Sequence, residues 1–327
     1  MSSTRPSSSL PNLEISSPVG FDLYFRNELP SGGISHTSIM ANLALAGNAE
    51  AFGRRLVAMS KKELAPGVSL ATEFFAWLED YTEEIIPKED IPSILAAIFD
   101  VGDQLWCNEK RQRHSAMFGD DIYIRQVVYQ LARRLSRPER FEAYRNAFSK
   151  GRALATIART ARMLAGQHGR SHAGEMIPEE ARDLTPEHQR EIDEIVLNRV
   201  RMAAEDGSLL DSTRPYPLYL WEEIGGPEEP HRWIQRLVET DKGLGKFLET
   251  FIGYKWGLDG ERREPVLPLD SLGRFVDPET VIGRARKLAD ADWLTETQRV
   301  AVNQFIKEYD ALQSGKDPKH PVGPADE

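Results

Sequence analysis

The chain has 327 residues, 40% of them hydrophobic, and its 41 lysines and arginines are outnumbered by 51 aspartates and glutamates, for a formal charge of −10. This acidic balance argues against nucleic acid as the main partner, because phosphate-binding surfaces usually require a basic excess. No run of about 18 apolar residues and no secretory-type N-terminus occurs, which excludes an obvious membrane anchor and favours a cytoplasmic protein.

The two ends of the chain carry few large apolar residues. Residues 1–20 are rich in serine and proline, and residues 316–327 combine proline with charge. Such segments cannot bury enough apolar surface to offset the entropy lost on ordering. The sequence therefore predicts a disordered leader and a disordered tail.

Residues 21–166 show repeated helical patterns, in which polar caps precede apolar residues three and four positions apart. A first segment opens at Ser35. A second follows Asn48, a third follows Ser69, and the next runs from Ile94 to Val101. Further helices are predicted over 121–136 and 139–166, separated at Pro138 because proline interrupts a helix. We interpret residues 21–166 as an N-terminal helical subdomain.

Residues 167–184 lack apolar periodicity and contain several turn formers, so this segment is predicted to be a linker. Beyond it, Thr185 and Pro186 form a helix start, and that helix is expected to reach about Glu205. Asp277 precedes another proline in the same way, and Thr295 with Gln298 has capping-box spacing. Residues 185–315 form the predicted C-terminal helical subdomain. The fold class is all-α, as an irregular multi-helical bundle or an α-solenoid-like stack.

The sequence motifs that would indicate catalysis or metal binding are incomplete in this chain. The stretch Gly243-Leu244-Gly245-Lys246 lacks the hydroxyl residue and the earlier glycine of a phosphate-binding loop, and is interpreted as a break between helices. His168 and His172 have metal-ligand spacing but lie among glycines, and are interpreted as solvated loop residues. Cys107 has no partner thiol and no recognisable base, so it is interpreted as a buried or half-buried thiol. We predict no catalytic residue, no metal site and no cofactor.

An aromatic-rich stretch between Tyr216 and Trp256 is more informative. Tyrosine and tryptophan combine large contact area with a polar group, as interaction surfaces require. The alternative is that these side chains belong to the core, which a helical stripe through Leu244, Phe247 and Phe251 favours for one helix. Together with two residues near the start of the folded part, the candidate interaction surface is Tyr24, Arg26, Tyr219, Trp221, Trp233 and Trp256.

Several phrases resemble the helical region that follows the ATPase core in KAP-family P-loop NTPases. They are FDLYFRNELPSGGIS (21–35), FDVGDQL (99–105), YPLYLWEEIGG (216–226), WIQRLVETDKGLGKFLETFIGY (233–254) and LDSLGRFVDPETVIGRARKL (269–288). The resemblance extends from Phe21 to about Gln313. It implies a helical sensor, regulatory or docking module, with bacterial phage defence as a context. Walker A and Walker B motifs, which catalyse ATP hydrolysis in that family, are absent, so no catalytic role is transferred.

Three functions stay open at the level of the sequence. The leading hypothesis is a module that binds a P-loop NTPase or the target which such an NTPase senses. The second is an enzyme whose site is assembled from scattered acids and histidines, which requires convergent groups with perturbed pKa values. The third is nucleic-acid binding through basic helical faces, which consist of Arg133, Arg134, Arg137, Arg140, Arg145, Lys150, Arg152, Arg159 and Arg162.

Overall fold

The computed structural model describes residues 49–61, 63–65, 68–69, 71, 75, 88–106, 120–170, 177–210, 216–251, 253–256, 262–266, 273 and 275–315. Helices dominate these residues, which confirms the predicted all-α, multi-helical fold. The predicted leader 1–20, the predicted tail 316–327 and the segment that opens at Ser35 lie outside them. So does most of the helix predicted after Ser69, of which only Ala71 and Phe75 are described, both as helical.

The helices, numbered along the chain, are α1 (Ala49–Ser60), α2 (Ile91–Trp106), α3 (Asp120–Arg133), α4 (Arg137–Lys150), α5 (Leu154–Gly166), α6 (Pro186–Glu205), α7 (Tyr216–Gly225), α8 (Glu228–Val238), α9 (Asp241–Phe251), α10 (Pro278–Leu288) and α11 (Glu296–Gln313). Two antiparallel hairpins accompany them, β1 (Glu63–Ala65) with β2 (Val68–Ser69) and β3 (Gly253–Trp256) with β4 (Arg262–Val266). Short 3-10 helices occupy Lys88–Asp90 and Glu179–Ala181.

The chain divides into two compact units, and the division is not sequential. Unit 1 comprises Met1–Ala153 with Asp183–His188, and unit 2 comprises Leu154–Arg182 with Gln189–Glu327. The predicted boundary at residue 167 differs from this division, since α5 belongs to unit 2. The segment predicted as a linker also contributes buried residues, because Asp183 and Leu184 are 0% and 1% exposed.

Helix α2 is the centre of unit 1 and packs against α1, α3 and α4. The predicted stripe of Ile94, Ile98 and Val101 is buried, and Ile91 and Leu95 are fully buried as well. Phe99 meets the Phe148 ring of α4 edge-on, with centroids 4.8 Å apart. Burial of each such side chain contributes about 1.5–3 kcal/mol, so this apolar contact fixes α4 on α2.

Helix α4 begins with a capping box at Ser136 and Glu139. The Ser136 N–H donates to Glu139 Oε2 at 2.7 Å, and the Ser136 hydroxyl accepts from the Glu139 N–H. Pro138 occupies the first turn, where its missing N–H costs nothing. The predicted change of helix at Pro138 is confirmed. The single helix predicted over 139–166 is wrong, because α4 ends at Lys150 and α5 begins at Leu154.

The break between α4 and α5 has a tertiary cause. The Gly151 N–H donates to the Ala147 carbonyl at 2.7 Å and closes α4, and the Ala153 N–H leaves the helical pattern to donate to the Phe99 carbonyl of α2 at 2.9 Å. A Cβ atom at Gly151 would lie 2.5 Å from that same carbonyl oxygen. The chain therefore turns where only glycine permits the close approach to α2.

The capping box predicts a specific dependence of stability on pH. Hydrogen bonds from Lys88 and then Ser136 lower the pKa of Glu139 from 4.5 to about 2. Because the pKa is depressed in the folded state, the stabilisation is present above pH 4.5 and disappears as the pH falls towards 2. We expect the difference in unfolding free energy between wild type and Glu139→Gln to shrink over that interval in urea titrations. Lys88→Met should reduce the same pH-dependent difference, and a constant difference would contradict the assignment.

The core of unit 2 is built on α9, which packs against α8, α10 and α11. Its predicted stripe of Leu244, Phe247, Leu248 and Phe251 is confirmed as core, with exposures of 0% to 4%. The predicted helix starts are also confirmed. The Asp277 side chain accepts from the Glu279 N–H at the start of α10, and Thr295 and Gln298 form a capping box at the start of α11.

The hairpin β3–β4 follows directly after this core. Its strands pair from Gly253 with Val266 to Trp256 with Arg262, and β4 contacts α11. The sequence pattern did not predict it, because strands this short show little alternation. Among the described residues, no helix is long and apolar enough to cross a membrane.

Candidate interaction surface

Helices α7 and α8 of unit 2 form a tight corner, which we call the α7–α8 corner (residues 216–239). Helix α7 ends at Gly225, and Gly226 follows with a φ of +88°, a left-handed conformation that side chains with a Cβ rarely adopt. Pro227 then precedes α8 without supplying a side-chain cap. Glu228 and Glu229 occupy the first turn of α8, where negative charge is favourable. The turn residues thus direct α8 back beside α7.

Two tryptophans hold this corner together. Trp221 of α7 is 3% exposed and its indole N–H donates to Glu229 Oε2 at 3.2 Å. Trp233 of α8 is half-buried and donates to the Ala204 carbonyl of α6 at 3.1 Å. The two rings lie 6.1 Å apart. Both polar groups of these side chains are therefore satisfied inside the unit.

Glu229 connects three elements at the corner. Besides Trp221, it accepts from the Arg201 guanidinium of α6 at 3.0 and 2.8 Å. The hydrogen bond from Arg201, followed by that from Trp221, lowers the pKa of Glu229. Glu229 therefore stays ionised and serves as a link between helices.

A second group of contacts joins α5 to α7. Arg162 binds Glu223 with two hydrogen bonds of 2.6 and 2.5 Å, and the Glu223 carboxylate is only 3% exposed. Arg159 donates to the Tyr216 hydroxyl at 2.5 Å and lies over its ring. A buried bidentate arginine–carboxylate pair of this kind fixes geometry more than it adds stability.

Tyr219 and His231 line the side of the corner that faces Phe275. The Tyr219 ring stacks on Phe275 with centroids 6.3 Å apart, and the His231 ring meets Phe275 edge-on at 5.4 Å. His231 Nε2 lies 3.6 Å from Glu222 Oε1, which is a loose ion pair when the ring is protonated. Tyr219 itself is half-buried, so it contributes a partly accessible edge.

The outward face of α8 borders an open cleft of about 800 Å³. Its walls are polar, and consist of Gly225, Gly226, Pro227, Glu228, Glu229, Arg232, Gln235, Arg236 and Glu239. The opposite face of α8 is apolar and buried through Pro230, Ile234 and Val238. The cleft thus presents exposed acidic and basic side chains on a helix whose other side is anchored in the core.

No family model, no curated protein and no solved structure matches the chain.

The structure separates the residues of the predicted surface. It brings Trp221 and Trp233 together, but Trp221 is buried and is not available at a surface. Tyr219 belongs to a different cluster, with Phe251 and Phe275. Tyr24, Arg26 and the Trp256 side chain lie outside the described residues. Sequence reasoning missed the cleft residues of α8, whose only signal was a helix with one apolar and one charged face.

The structure describes some of the residues that have metal-ligand or phosphate-loop spacing. His168 Nδ1 lies 3.3 Å from Arg182 Nη1, while His172 is outside the described residues. Within the described ranges, no group of three metal-ligating side chains occurs. Gly243 and Gly245 lie inside α9, which corrects their interpretation as a break between two helices.

The arginines suspected of binding nucleic acid are largely engaged with carboxylates. Arg140 pairs with the buried Asp183, Arg145 with Glu142, and Arg162 with Glu223. Arg152 binds Asp100 with hydrogen bonds of 2.8 and 2.6 Å, and this contact lowers the pKa of Asp100. These pairs neutralise much of the cationic character that the sequence suggests. The Arg145–Glu142 pair has the i,i+3 spacing that a helix favours, but the sequence gives no signal for the other pairs, whose partners are 43 to 61 residues apart.

Two buried polar side chains, Tyr144 and Asp193, have shifted pKa values. Burial raises the pKa of the Tyr144 hydroxyl, which is fully enclosed in unit 1. Burial also raises the pKa of Asp193, although Gln189 and Arg170 donate hydrogen bonds to it. A substrate cannot reach the enclosed Tyr144 side chain, and Asp193 is held inside a hydrogen-bonded cluster, so their perturbation follows from packing.

Proposed function

We propose that the chain is a non-catalytic helical docking module with a regulatory or sensing role, and that a protein partner contacts the cleft on α8. The observation that carries the proposal is the two-sided character of α8. Its apolar face is fixed in the core of unit 2, while its exposed charged face borders an open cleft. A rigid helix that presents exposed polar side chains at a concavity is suited to bind a complementary surface.

The distribution of charged groups supports docking over catalysis. Glu223 and Glu229 are tied to arginines of neighbouring helices, and these pairs hold the corner in place. A general acid and base would instead have to converge on a shared reacting position. The charged cleft residues Glu228, Glu229, Arg232, Arg236 and Glu239 instead follow one another along α8 and its C-terminal cap, and Glu229 is bound by Arg201.

The partner is proposed from the resemblance to the helical region of KAP-family NTPases. In that family the helical region follows a P-loop ATPase core, so the proposed partner is such a core or the target that it senses. A role in the cytoplasm and in defence against phage is the corresponding biological proposal. Nucleic acid is not proposed, because carboxylates engage the basic residues described above.

The test is complex formation with the P-loop ATPase domain of a KAP-family protein from the same source. We expect the two to co-elute in size-exclusion chromatography with light scattering. Arg236→Glu, on the exposed face of α8, should weaken binding about tenfold. The substitution places a negative charge against a partner surface that is complementary to a cation. Lys150→Glu is the matched control, since Lys150 is an exposed cation at the end of α4 in unit 1. Equal effects of the two variants would refute the cleft as the binding surface.

The same preparation tests the absence of catalysis. Calorimetry with Mg-ATP and a phosphate-release assay on the chain alone are both expected to give background signals, because triphosphate binding depends on a loop that this sequence lacks. Micromolar ATP binding with turnover that persists through purification would overturn the proposal. Failure of any complex to form would overturn the proposed partner.

A further inference from the structure

Trp293 is the most conspicuous aromatic side chain on the described surface of unit 2. It lies in the turn between α10 and α11, and 46% of its surface is exposed, whereas its neighbour Leu294 is 7% exposed. Tryptophan has a larger apolar surface than almost any other side chain, so burial of an exposed indole by a partner would give a large favourable free energy. Trp293 also lies apart from the α7–α8 corner in sequence and was not among the predicted surface residues.

The turn that carries Trp293, which we call the Trp293 turn (residues 289–296), is held by several contacts. The Arg299 guanidinium donates to the carbonyls of Ala289 and Ala291 at 3.0 and 3.1 Å. The Ala291 N–H donates to the Leu288 carbonyl at 2.9 Å, and the capping box at Thr295 closes the other end. A turn fixed in this way presents its side chains with little ordering cost on binding.

Leu294 anchors the turn to the core. It is buried, and a Cβ atom placed on Gly245 of α9 would lie 3.4 Å from Leu294 Cδ2. The side chain next to Trp293 is therefore inserted against α9, while Trp293 is left outside. The same backbone that is secured by Leu294 thus displays the exposed indole at a defined position.

The charges around Trp293 indicate what it would contact. Asp290, Asp292 and Glu296 are exposed and flank it in sequence. The indole face is the best aromatic acceptor for a cation, and neighbouring carboxylates increase the local attraction for positive charge. Anionic partners such as nucleic-acid phosphates or acidic membrane surfaces would be repelled by the same residues.

We infer that the Trp293 turn binds the cationic side chains of an arginine- or lysine-rich protein segment. The inference rests on the proposed docking function and specifies the chemistry of a partner segment. Trp293 supplies the aromatic face, and Asp290, Asp292 and Glu296 supply the complementary charge. The arrangement matches binding hot spots, in which a preformed aromatic side chain carries much of the energy.

The alternative is that Trp293 is an isolated exposed apolar residue, which surfaces commonly carry. Met202 provides the comparison. It is 65% exposed on α6, also in unit 2, but it lies on a helix face and not in a turn flanked by three carboxylates. If exposure alone determined binding, truncation of Met202 would matter as much as truncation of Trp293.

The probe is a fluorescein-labelled peptide of arginines separated by glycine and serine, titrated with the full chain and followed by fluorescence anisotropy. We expect the wild-type chain to bind it at least about tenfold more tightly than the matched peptide with glutamine in place of arginine.

Trp293→Ala should weaken binding of the arginine peptide about tenfold, while Trp293→Phe, which keeps an aromatic face, should retain most of the affinity. Met202→Ala should change affinity less than about twofold. The double variant Asp290→Asn/Asp292→Asn should bind more weakly and with a smaller salt dependence.

Equal binding by wild type and Trp293→Ala, or equal binding of the arginine and glutamine peptides, would overturn the inference. A preference for a duplex oligonucleotide or for anionic lipid vesicles over the arginine peptide would also overturn it. The complex with the P-loop ATPase domain is measured separately. If that complex forms and Trp293→Ala leaves peptide binding intact, only this inference fails, whereas absence of the complex contradicts the proposed partner.

Discussion

Replacement of Asp183 by alanine is expected to lower the free energy of unfolding by about 3–5 kcal/mol, as removal of one partner of a buried ion pair usually does. The Asp183 side chain is 0% exposed, and its Oδ1 accepts from Arg140 Nη1 at 2.7 Å. Arg140 also donates to the carbonyls of Ala132 and Leu135 at 2.9 and 3.1 Å, at the end of α3. The substitution would leave a largely buried guanidinium without its counter-charge and would loosen the end of α3.

The measurement is urea unfolding followed by far-ultraviolet circular dichroism, with Asp310→Ala as the control. Asp310 accepts from Arg286 at 2.6 Å, a length close to that of the buried pair, but the two side chains are 54% and 56% exposed. Exposed pairs contribute about 0–1 kcal/mol, so this variant should differ little from wild type. Comparable losses in both variants would show that burial does not govern the Asp183 effect.

The sequence predicts local features of this fold well. The helix starts at Thr185, Asp277 and Thr295 are found where they were predicted, since each depends on a side-chain oxygen and an N–H two or three residues away. The apolar stripe of α9 is equally local. Energies of this kind are decided within one or two turns, and a short stretch of sequence contains all of the partners.

Features that depend on distant contacts could not be predicted. The helix pattern from residue 139 continues past Gly151, and the helix breaks there because the Phe99 carbonyl, far away in sequence, takes the Ala153 N–H. The pairing of Arg140 with Asp183 joins residues 43 apart. The same holds for the division into two units, in which Asp183–His188 belongs with the first unit although the residues on both sides belong with the second.

The candidate surface was predicted in composition but not in orientation. Tyr219 and Trp221 are two positions apart on α7, and side chains at this spacing point to nearly opposite sides of a helix. Trp221 therefore enters the contact with Trp233, while Tyr219 stacks on Phe275. A composition-based grouping of aromatics has no means of separating these two directions, and it gives no weight to the charged face of α8 that borders the cleft.

Replacement of Gly243 and of Gly245 by alanine should change the free energy of unfolding with opposite signs. A Cβ atom on Gly243 would lie 2.0 Å from the Leu237 carbonyl oxygen and 2.7 Å from Thr240 Oγ1, which caps α9 by accepting from the Gly243 N–H at 3.0 Å. The start of α9 would have to move, so Gly243→Ala is expected to lower the free energy of unfolding by about 2–3 kcal/mol.

A Cβ atom on Gly245 meets Leu294 Cδ2 only at 3.4 Å, an ordinary contact, and alanine stabilises a helix interior by about 0.5–1 kcal/mol relative to glycine. Thermal and urea unfolding of the two variants test this directly, because both lie on one helix and add the same methyl group. Destabilisation of both to the same extent would mean that glycine is required for the flexibility of this segment, whereas opposite shifts would show that the close approach of the Leu237 carbonyl selects glycine at position 243.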